Sequence, residues 1–382
     1  MEDSDIKIIE GAYASAKVFT INNTAHDLEP YAEAQLRMLC DNEVAKGSKI
    51  RVMPDVHPGK VGTIGLTMTV GERILPNLVG VDIGCGVTVA KLKQKKVEYQ
   101  KLDTVIRDNV PAGFAVRKKP HRYAERFDTS LLCCASNIRK EKAALSLGTL
   151  GGGNHFIELD NDEEGNLYVV IHSGSRHLGK EVTEYYLNEG QKQLKENGME
   201  VPYELTWLEG DLKEQYLHDL QIVQEFAVLN REAILDELAS GMKWKVQESF
   251  SCIHNYVDEK GEKPMLRKGA ISAKTGETVV IPINMRDGLM LGTGKGNEEW
   301  NYSAPHGAGR ILRRDSVKNQ YTVSQYKAEM KGIHSVSVGA DTLDEAPFAY
   351  RKLDEIADVI EETVTIKQVI RPVYNFKAGG EA

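Results

Sequence analysis

The sequence predicts an α+β protein in which helices pack around mixed β-sheets. Three segments show the three-to-four-residue spacing of apolar side chains that is typical of surface helices, and the β-rich runs between them are punctuated by glycine. Helices and strands do not alternate regularly, which disfavours a doubly wound Rossmann fold. The predicted helices cover 29–46, 211–240 and 350–364, and the predicted strands lie within 61–70, 78–92, 167–172 and 278–284.

Each predicted element rests on its own spacing of apolar residues. Four residues apart, Leu212, Tyr216 and Leu220 begin one apolar face that continues through the second predicted helix. Leu353 and Ile356 begin the corresponding face of the third helix. The strand predictions depend on short runs that are rich in β-branched residues and bounded by glycine. These faces and runs indicate surface helices with one buried side and largely buried strands.

Composition places the chain among ordinary globular proteins. Its 382 residues are 41% hydrophobic and 27% charged, and no repeat, linker or compositional shift divides them, so we expect a single domain over 1–382. Five cysteines without CxxC spacing argue against a disulfide framework. The chain has an acidic start and lacks the roughly 18–20-residue apolar run of a membrane span, which predicts a cytoplasmic protein. The net charge of -8 confines any polyanion site to a local patch.

Glycines cluster beside the side chains that could act as ligands or nucleophiles. Glycine permits close backbone approach and exposes N–H donors, although each cluster alone is also consistent with a tight turn. The same partner chemistry in four clusters favours a functional interpretation. The clusters are Gly84 and Gly86 around Cys85, Gly151 to Gly153 before Asn154 and His155, Gly174 after His172, and Gly307 and Gly309 after His306.

Thiol, imidazole and carboxylate groups in these motifs predict a transition-metal site. Asp82 and Cys85 follow an apolar run that resembles a strand, which would place both at its exposed end. With histidines at the ends of other apolar runs, they allow a two-metal cluster bridged by Cys85. The alternatives are an aspartate that caps a turn, an inert buried cysteine and hydrogen-bonded structural histidines. The candidate histidines are His155, His172 and His254.

The segment around His155 carries a condition on its backbone. If 154–159 is a strand, Asn154, Phe156 and Glu158 share one face, and His155 points to the other. Both sets serve one site only if the strand is bent at its start, which the preceding glycines permit.

A second chemical motif surrounds His306. Small residues flank its imidazole and three arginines follow within eight positions, so a phosphate could approach the ring closely. A neutral histidine can attack phosphorus, and arginines neutralise a transferring phosphoryl group. A flexible loop before a basic helix is the alternative. The upstream segment from Asp55 to Lys60 is consistent with a ligand-orienting or phosphate-binding segment, or with a simple β-turn at Pro58 and Gly59.

Taken in order, these motifs resemble the RtcB family of RNA ligases over essentially the whole chain. The resemblance implies an RtcB-like fold and a cytoplasmic enzyme that seals RNA 2′,3′-cyclic phosphate or 3′-phosphate ends to 5′-hydroxyl ends. It also implies GTP and two Mn²⁺ as cofactors and a covalent histidine–GMP intermediate. The matching motifs are Pro54-Asp55-Val-His57-Pro-Gly, Gly80-Val-Asp82-Ile-Gly-Cys85-Gly, Ser146-Leu-Gly-Thr-Leu-Gly-Gly-Gly-Asn154-His155-Phe-Ile-Glu158, His172-Ser-Gly-Ser-Arg176, His254-Asn255 and His306-Gly-Ala-Gly-Arg310.

The resemblance also implies a role for individual residues. It makes His306 the residue that becomes guanylylated, and Cys85 the ligand shared by both metals. The remaining metal ligands would be Asp82 and His155 for one ion and His172 and His254 for the other. The implied nucleotide contacts are Asn154, Phe156, Glu158, Asn255, Gly307, Ala308, Gly309, Tyr350 and Lys377, and the implied phosphate or RNA contacts are Arg176, Arg310 and Arg314.

The chain departs from the family pattern at two places. Residues 282–288 replace a Pro-Gly-Ser-Met-Gly-type loop, and the C-terminus lacks a terminal Lys-Gly, so the chain resembles a shorter bacterial branch. Repair of cleaved tRNA or ribosomal RNA is then as reasonable as tRNA splicing, and dependence on an archease activator stays open. Two rival interpretations also stay open: a dimetal phosphohydrolase with His306 as proton donor, and a catalytically silent RNA-binding protein.

Overall fold

The computed structural model describes residues 6–21 and 28–378. The acidic N-terminal segment 1–5 and the C-terminal segment 379–382, which entered the sequence predictions, lie outside the described residues. The described chain is a mixed α+β protein, as the sequence predicts. None of its described helices is both long enough and apolar enough to cross a membrane.

The helices and strands are numbered in chain order. The helices are α1 (Pro30–Cys40), α2 (Pro76–Val79), α3 (Tyr99–Asn109), α4 (Lys140–Ser146), α5 (Arg176–Glu196), α6 (Gly210–Met242), α7 (Arg314–Gln320), α8 (Val323–Glu329) and α9 (Leu353–Val359). The strands are β1 (Ile6–Glu10), β2 (Ser15–Phe19), β3 (Ile50–His57), β4 (Ile64–Thr69), β5 (Arg73–Ile74), β6 (Gly86–Leu92), β7 (Phe156–Asn161), β8 (Leu167–Ser173), β9 (Leu208–Glu209), β10 (Val246–Ile253), β11 (Asn255–Asp258), β12 (Met265–Lys268), β13 (Ala270–Ser272), β14 (Thr278–Asn284), β15 (Gly288–Gly294), β16 (Ser303–Pro305), β17 (His334–Ser335) and β18 (Val364–Phe376).

Two mixed sheets organise the described chain. One has the strand order β1-β2-β3-β4-β12-β11, and the other has the order β10-β6-β8-β7-β18-β15-β14, with β17 beside β18. Most neighbouring strands are antiparallel, while β2 with β3 and β17 with β18 are parallel pairs. This topology excludes the parallel sheet of a Rossmann fold. Shorter ladders join β13 to β16 and β5 to β9.

The register of the larger sheet brings four strand ends to one edge. Gly86, the first residue of β6, lies opposite both Ser173 at the end of β8 and Ile253 at the end of β10. Phe156, the first residue of β7, lies opposite His172 near the end of β8. Because these neighbours are antiparallel, starts and ends alternate along the same edge. Residues that precede β6 and β7 therefore meet residues that end β8 and follow β10.

Helix α6 confirms the second helix prediction and connects two parts of the core. Tyr216 and Leu220, on its N-terminal half, belong to the apolar cluster beneath the smaller sheet. Ile234 and Leu238, on its C-terminal half, pack in the cluster with β7, β8 and α3. Its apolar face thus packs in both clusters and holds the helix against β6 and β8, two strands of the four-strand edge.

The predicted strand over 78–92 is wrong in its first half. Pro76 occupies the first turn of α2, and Gly80, with a φ of 80°, follows the end of that helix. The strand begins only at Gly86. Asp82 and Cys85 therefore precede a strand instead of ending one, since the buried apolar residues of 78–79 pack as a helical turn.

Two predicted helices are shorter than the apolar spacing indicates. The segment 350–364 contains α9, a 3₁₀ turn (Ile360–Glu362) and the start of β18 at Val364, where pairing with β15 replaces the helix. The segment 29–46 contains α1 and a separate 3₁₀ turn (Glu43–Ala45) that the side chain of Asn42 caps. The strand predictions within 61–70, 167–172 and 278–284 are confirmed.

Candidate active site

A thiol and three imidazoles meet at the four-strand edge. The Sγ atom of Cys85 lies 3.3 Å from Nε2 of His155 and 3.3 Å from Nε2 of His172. The Nε2 atoms of His172 and His254 are also 3.3 Å apart. All four side chains are buried. Residues far apart in sequence thus present sulfur and nitrogen atoms to one another in a buried pocket.

The electrostatics of this cluster keep its imidazoles neutral. Burial lowers the pKa of His172 to about 3 and holds the pKa values of His155 and His254 well below their usual range. The Nδ1–H of His172 donates to the carbonyl oxygen of Asn154 at 3.1 Å, which leaves a lone pair on Nε2. Burial also raises the pKa of the Cys85 thiol.

The cluster has the properties of a metal site. The Nε2 atoms of His172 and His254 face each other at 3.3 Å, and the buried Nδ1 of His155 has no hydrogen-bond partner among the described residues. Ligand atoms of Cys85, His172 and His254 all lie within 4.8 Å of one another. Sulfur and imidazole donors suit a transition metal better than magnesium. A bound cation would compensate the charge of the thiolate and accept lone pairs from the imidazoles.

Asp82 and Arg176 lie at the border of this cluster. Asp82 is exposed, and its oxygen atoms are not among those that group with Cys85 within 4.8 Å. The guanidinium of Arg176 donates to Thr149 Oγ1 at 3.1 Å. Burial lowers the pKa of Arg176, while Asp82 and Cys85 oppose that shift. Burial likewise lowers the pKa of Lys268 to about 8, again opposed by Asp82.

A carboxylate orients the imidazole of His306. Nδ1 of His306 lies 2.7 Å from Oδ2 of the buried Asp55, and the backbone N–H of His306 donates to the same oxygen at 3.2 Å. In the neutral imidazole, the Nδ1–H donates to the carboxylate and Nε2 keeps its lone pair. The His306 ring also contacts the ring of His254, with centroids 4.8 Å apart. The imidazole is thus held at the edge of the metal-type cluster with a free nitrogen.

The loop after His306 fits closely over β3. Gly309 has a φ of 75°, and a Cβ atom there would lie 2.7 Å from the carbonyl oxygen of Asp55. Only glycine adopts this conformation at such close approach without strain. His57, two residues after Asp55, donates from Nδ1 to the Asp55 carbonyl oxygen at 2.9 Å. The sequence motif from Asp55 onward therefore supports the His306 loop.

A cleft opens beside His306 and contains most of the predicted nucleotide contacts. Phe156 and Glu158 project from one face of β7 into the cleft. His155 precedes the strand and contacts Cys85, so side chains on both sides of the strand start can serve one site. Asn255 lies outside the cleft and accepts the Gly269 N–H at 2.8 Å through Oδ1. The predicted residues that line the cleft are Asn154, Phe156, Glu158, His172, His254, His306, Gly307, Ala308, Gly309, Arg310, Arg314, Tyr350 and Lys377.

Glu345 organises the cations of the cleft, and no sequence motif pointed to it. Its Oε1 lies 2.5 Å from Arg314 and 3.4 Å from Arg310, while its Oε2 lies 3.0 Å from Lys377. The Tyr350 hydroxyl donates to the same Oε2 at 2.6 Å. Burial alone would raise the pKa of Glu345, but Lys377, Arg314 and Arg310 hold it well below its usual range. One buried carboxylate thus holds three cations toward the cleft.

Glu158 is buried in the cleft wall beside a second carboxyl group, that of Asp160. Burial raises the pKa of Glu158, and the ammonium of Lys377 opposes that shift. Asp160, two residues along the same strand, is fully buried, and neither of its carboxyl oxygens has a hydrogen-bond partner among the described residues. Burial and the neighbouring Glu158 raise the pKa of Asp160 well above its usual range. The pair therefore favours holding a proton at neutral pH.

Two buried polar residues on α6 fix the backbone around the cluster. The guanidinium of Arg231 donates to the carbonyl oxygens of Gly84 at 2.9 Å and Ser173 at 2.8 Å, next to Cys85 and His172. Asn230 accepts the Gly148 N–H at 2.8 Å. Sequence reasoning missed both residues, since they lie within a helix predicted from its apolar face. Their interior hydrogen bonds are visible only in the tertiary structure.

Gly151 supplies a specific test of this arrangement. A Cβ atom at Gly151 would overlap the imidazole of His155 and approach the guanidinium of Arg176, whereas at Gly152 it would meet only the Gly113 Cα at 3.8 Å. We therefore expect Gly151→Ala to weaken metal binding by about tenfold or more, because a displaced ring loses its ligand geometry. Gly152→Ala should bind metal normally. Titration of both variants with metal measures the difference, and equal affinities would contradict the proposed role of His155.

The fold and the cleft define an α+β protein with a thiol–imidazole centre beside an oriented histidine. A family model described as tRNA-splicing ligase RtcB matches residues 42–134 and 132–378. The chain belongs to the RtcB family.

Individual relatives agree with this membership. The chain is 32% identical to RNA-splicing ligase RtcB1 of Escherichia coli (strain ATCC 25922) and 31% identical to RNA-splicing ligase RtcB of Escherichia coli (strain K12). Each comparison covers 84% of this chain and 89% of the relative. It is also 30% identical to tRNA-splicing ligase RtcB of Aeropyrum pernix, over 81% of this chain and 83% of that protein.

Proposed function

We propose that the protein is a GTP- and Mn²⁺-dependent RNA ligase that joins 3′-phosphate or 2′,3′-cyclic phosphate ends to 5′-hydroxyl ends. The observation that carries this proposal is the His306 imidazole, held by Asp55 at 2.7 Å in a cleft that also contains three cations. Family membership supports RNA as the substrate. The proposal that His306 is the nucleophile is supported by the position of its imidazole beside cationic groups suited to phosphates.

The metal ligands in this proposal are Cys85, His155, His172 and His254, with Asp82 at the border. The close approach of the His172 and His254 Nε2 atoms, at 3.3 Å, and the unpartnered Nδ1 of His155 fit a bound cation. Bound Mn²⁺ would neutralise phosphate charge and polarise the phosphoryl oxygens. The identity of the metal as manganese rests on the family resemblance, and metal analysis of the purified protein tests it.

The residues around His306 support a sequence of three displacements at phosphorus. Nε2 of His306 attacks the α-phosphorus of GTP, a P–N bond forms and pyrophosphate leaves, while the Nδ1 proton stays on the imidazole, hydrogen-bonded to Asp55. An RNA 3′-phosphate oxygen then displaces the histidine and forms a pyrophosphate link to GMP. Finally the 5′-hydroxyl of a second RNA attacks the RNA 3′-phosphorus, loses its proton and releases GMP. A cyclic end first requires hydrolysis to the 3′-phosphate.

The cations of the cleft have a defined part in these steps. Arg310, Arg314 and Lys377 face Glu345 in the structure, so their charges are already positioned before an anion enters. Pre-positioned cations stabilise developing phosphate charge without the cost of ordering them during the reaction. We propose that an entering nucleotide shares them with Glu345. The ring of Phe156, 5.5 Å from the Lys377 ammonium, lines the same wall and offers a surface for a base.

Labelled GTP tests this proposal directly. The protein should form an acid-labile, alkali-stable adduct with α-labelled GTP and Mn²⁺, and none with γ-labelled GTP, because pyrophosphate leaves. A dimetal phosphohydrolase would release labelled products without an adduct, and an RNA-binding protein would do neither. Absence of an adduct under metal-loaded conditions would overturn the ligase mechanism.

Asp55→Asn should slow guanylylation by about 100-fold or more while the fold is kept. The amide keeps the shape of the side chain but removes the charge that fixes the Nδ1–H tautomer and stabilises the imidazolium. The rate of adduct formation with labelled GTP measures the effect. The matched control is His57→Gln, which leaves the Asp55 carboxylate in place. A rate for Asp55→Asn equal to that of the unaltered protein would contradict the orienting role.

A further inference from the structure

A second group of side chains that could bind a metal ion lies beside the N-terminal half of α6, about three helical turns before Asn230 and Arg231. Ligand atoms of Cys133, His218 and Asp219 all lie within 4.8 Å of one another. Cys133 and His218 are exposed and Asp219 is fully buried. These residues belong to neither the cleft nor the Cys85 cluster. Thiol, imidazole and carboxylate groups gathered in this way have the chemistry of a small metal site that is accessible from solvent.

The surroundings of the group hold two of its side chains in a ligand-ready form. Nε2 of His218 lies 3.1 Å from the carbonyl oxygen of Leu131, so Nε2–H donates there and Nδ1 keeps a lone pair. Oδ1 of Asp219 accepts the Cys133 N–H at 2.7 Å and has a further lone pair. Its Oδ2 accepts the Cys134 N–H at 3.1 Å and the Tyr186 hydroxyl at 2.8 Å, which fixes the carboxylate.

Binding of one metal ion by these three residues requires that their ligand atoms come closer together. Bonds of about 2.0–2.3 Å around a tetrahedral cation place ligand atoms roughly 3.3–3.8 Å apart. The ligand atoms, which lie within 4.8 Å of one another, would come into that range if the exposed Cys133 and His218 side chains rotated toward a common ion. A deprotonated Cys133 beside the Asp219 carboxylate would otherwise put two negative charges together. A divalent cation removes that repulsion.

We propose that Cys133, His218 and Asp219 form a second metal site for a thiolate-seeking divalent cation of the zinc type. Three protein ligands leave one position for water. Such a site binds Zn²⁺ more tightly than Mn²⁺, which stands lowest in the affinity order of the divalent first-row metals, and its thiolate and imidazole donors do not suit Mg²⁺. The site joins two structural parts, since Cys133 lies between the 3₁₀ turns Thr129–Leu131 and Ala135–Asn137, and the other two ligands lie on α6. A bound ion clamps this segment to the helix.

Protection of the exposed thiol tests the site in the full-length protein loaded with Mn²⁺. Zn²⁺ should slow alkylation of Cys133 by iodoacetamide at least tenfold, as measured by mass spectrometry of its peptide, while excess Mn²⁺ should not. His218→Gln should abolish that protection, because it removes one ligand on an exposed helix position. The buried neighbour supplies the matched control: Cys134→Ala should retain protection, since its thiol is not a ligand here.

The other outcomes decide against the site. Equal alkylation of Cys133 with and without Zn²⁺ would overturn it, as would unchanged protection in His218→Gln. Loss of protection in a folded Cys134→Ala variant would show that the vicinal cysteine pair binds the ion without the helix. Exchange of the amide hydrogens of 129–137, which should slow on Zn²⁺ addition only in the unaltered protein and the Cys134→Ala variant, provides a second readout that does not depend on thiol chemistry.

Discussion

His306→Ala should abolish the protein–GMP adduct and lower ligation of ordinary RNA ends by at least about 10⁴-fold. The imidazole is the nucleophile in our proposal, and alanine leaves no group to form the P–N bond. Metal binding and folding should persist, since the side chain of His306 bonds to Asp55 and only borders the Cys85 cluster. Labelled GTP, metal analysis and circular dichroism measure these three properties.

The His306→Ala variant also distinguishes a role of His306 as the covalent carrier of GMP from a role in the final sealing step. RNA that already carries a 3′-GMP cap bypasses guanylylation, so the variant should seal it at a rate within about tenfold of the unaltered protein. A residual GMP adduct in the variant would show that another residue is the nucleophile. Failure on capped RNA by a folded, metal-loaded variant would show that His306 also acts in the sealing step.

Cys85→Ala should remove bound metal and ligation together. Cys85 contacts His155 and His172 at 3.3 Å each, so its sulfur is shared across the cluster and its loss affects every ion held there. We expect metal affinity to fall by more than about 100-fold, since even indirect partners of metal ligands contribute about 10–100-fold. Mass spectrometry of the metal content and ligation assays on the same preparation measure both losses.

Cys40 provides the matched control for this substitution. It is also a buried cysteine whose pKa burial raises, to about 11, but it belongs to the apolar core. Cys40→Ala should lower the free energy of unfolding by about 1 kcal/mol through lost packing and leave metal content unchanged. Full metal occupancy with normal ligation in folded Cys85→Ala would rule out the thiol as a metal ligand.

Local patterns in the sequence predicted the α+β class and the longest helix correctly. Helix α6 was predictable because one apolar face recurs over many turns, and strand β14 because its β-branched run coincides with 278–284. The residue types of the cleft were also predictable, since glycine-flanked histidines and arginines are rare enough in combination to indicate a family. The roles drawn from that resemblance stay predictions.

The ends of the helices and strands depended on packing in the folded protein, and so did whether a site residue precedes or follows a strand. The run before Cys85 has the apolar character of a strand, yet Pro76 and Gly80 make it a helical turn that packs beneath the smaller sheet. Val364 continues a helical spacing and nevertheless begins β18, because a neighbouring strand, β15, supplies its hydrogen-bond partners. Apolar spacing alone does not distinguish these outcomes, since both bury the same side chains.

The sequence by itself determined which chemical groups the protein has: a thiol, imidazoles and arginines beside glycines. Only the tertiary structure decided which of them meet. The Asp55 carboxylate forms a hydrogen bond with His306, 251 residues further along the chain. The Glu345 carboxylate forms ion pairs with Arg310, Arg314 and Lys377. Such pairings depend on the antiparallel register that places strand starts beside strand ends, and on buried charges that require partners wherever the fold supplies them.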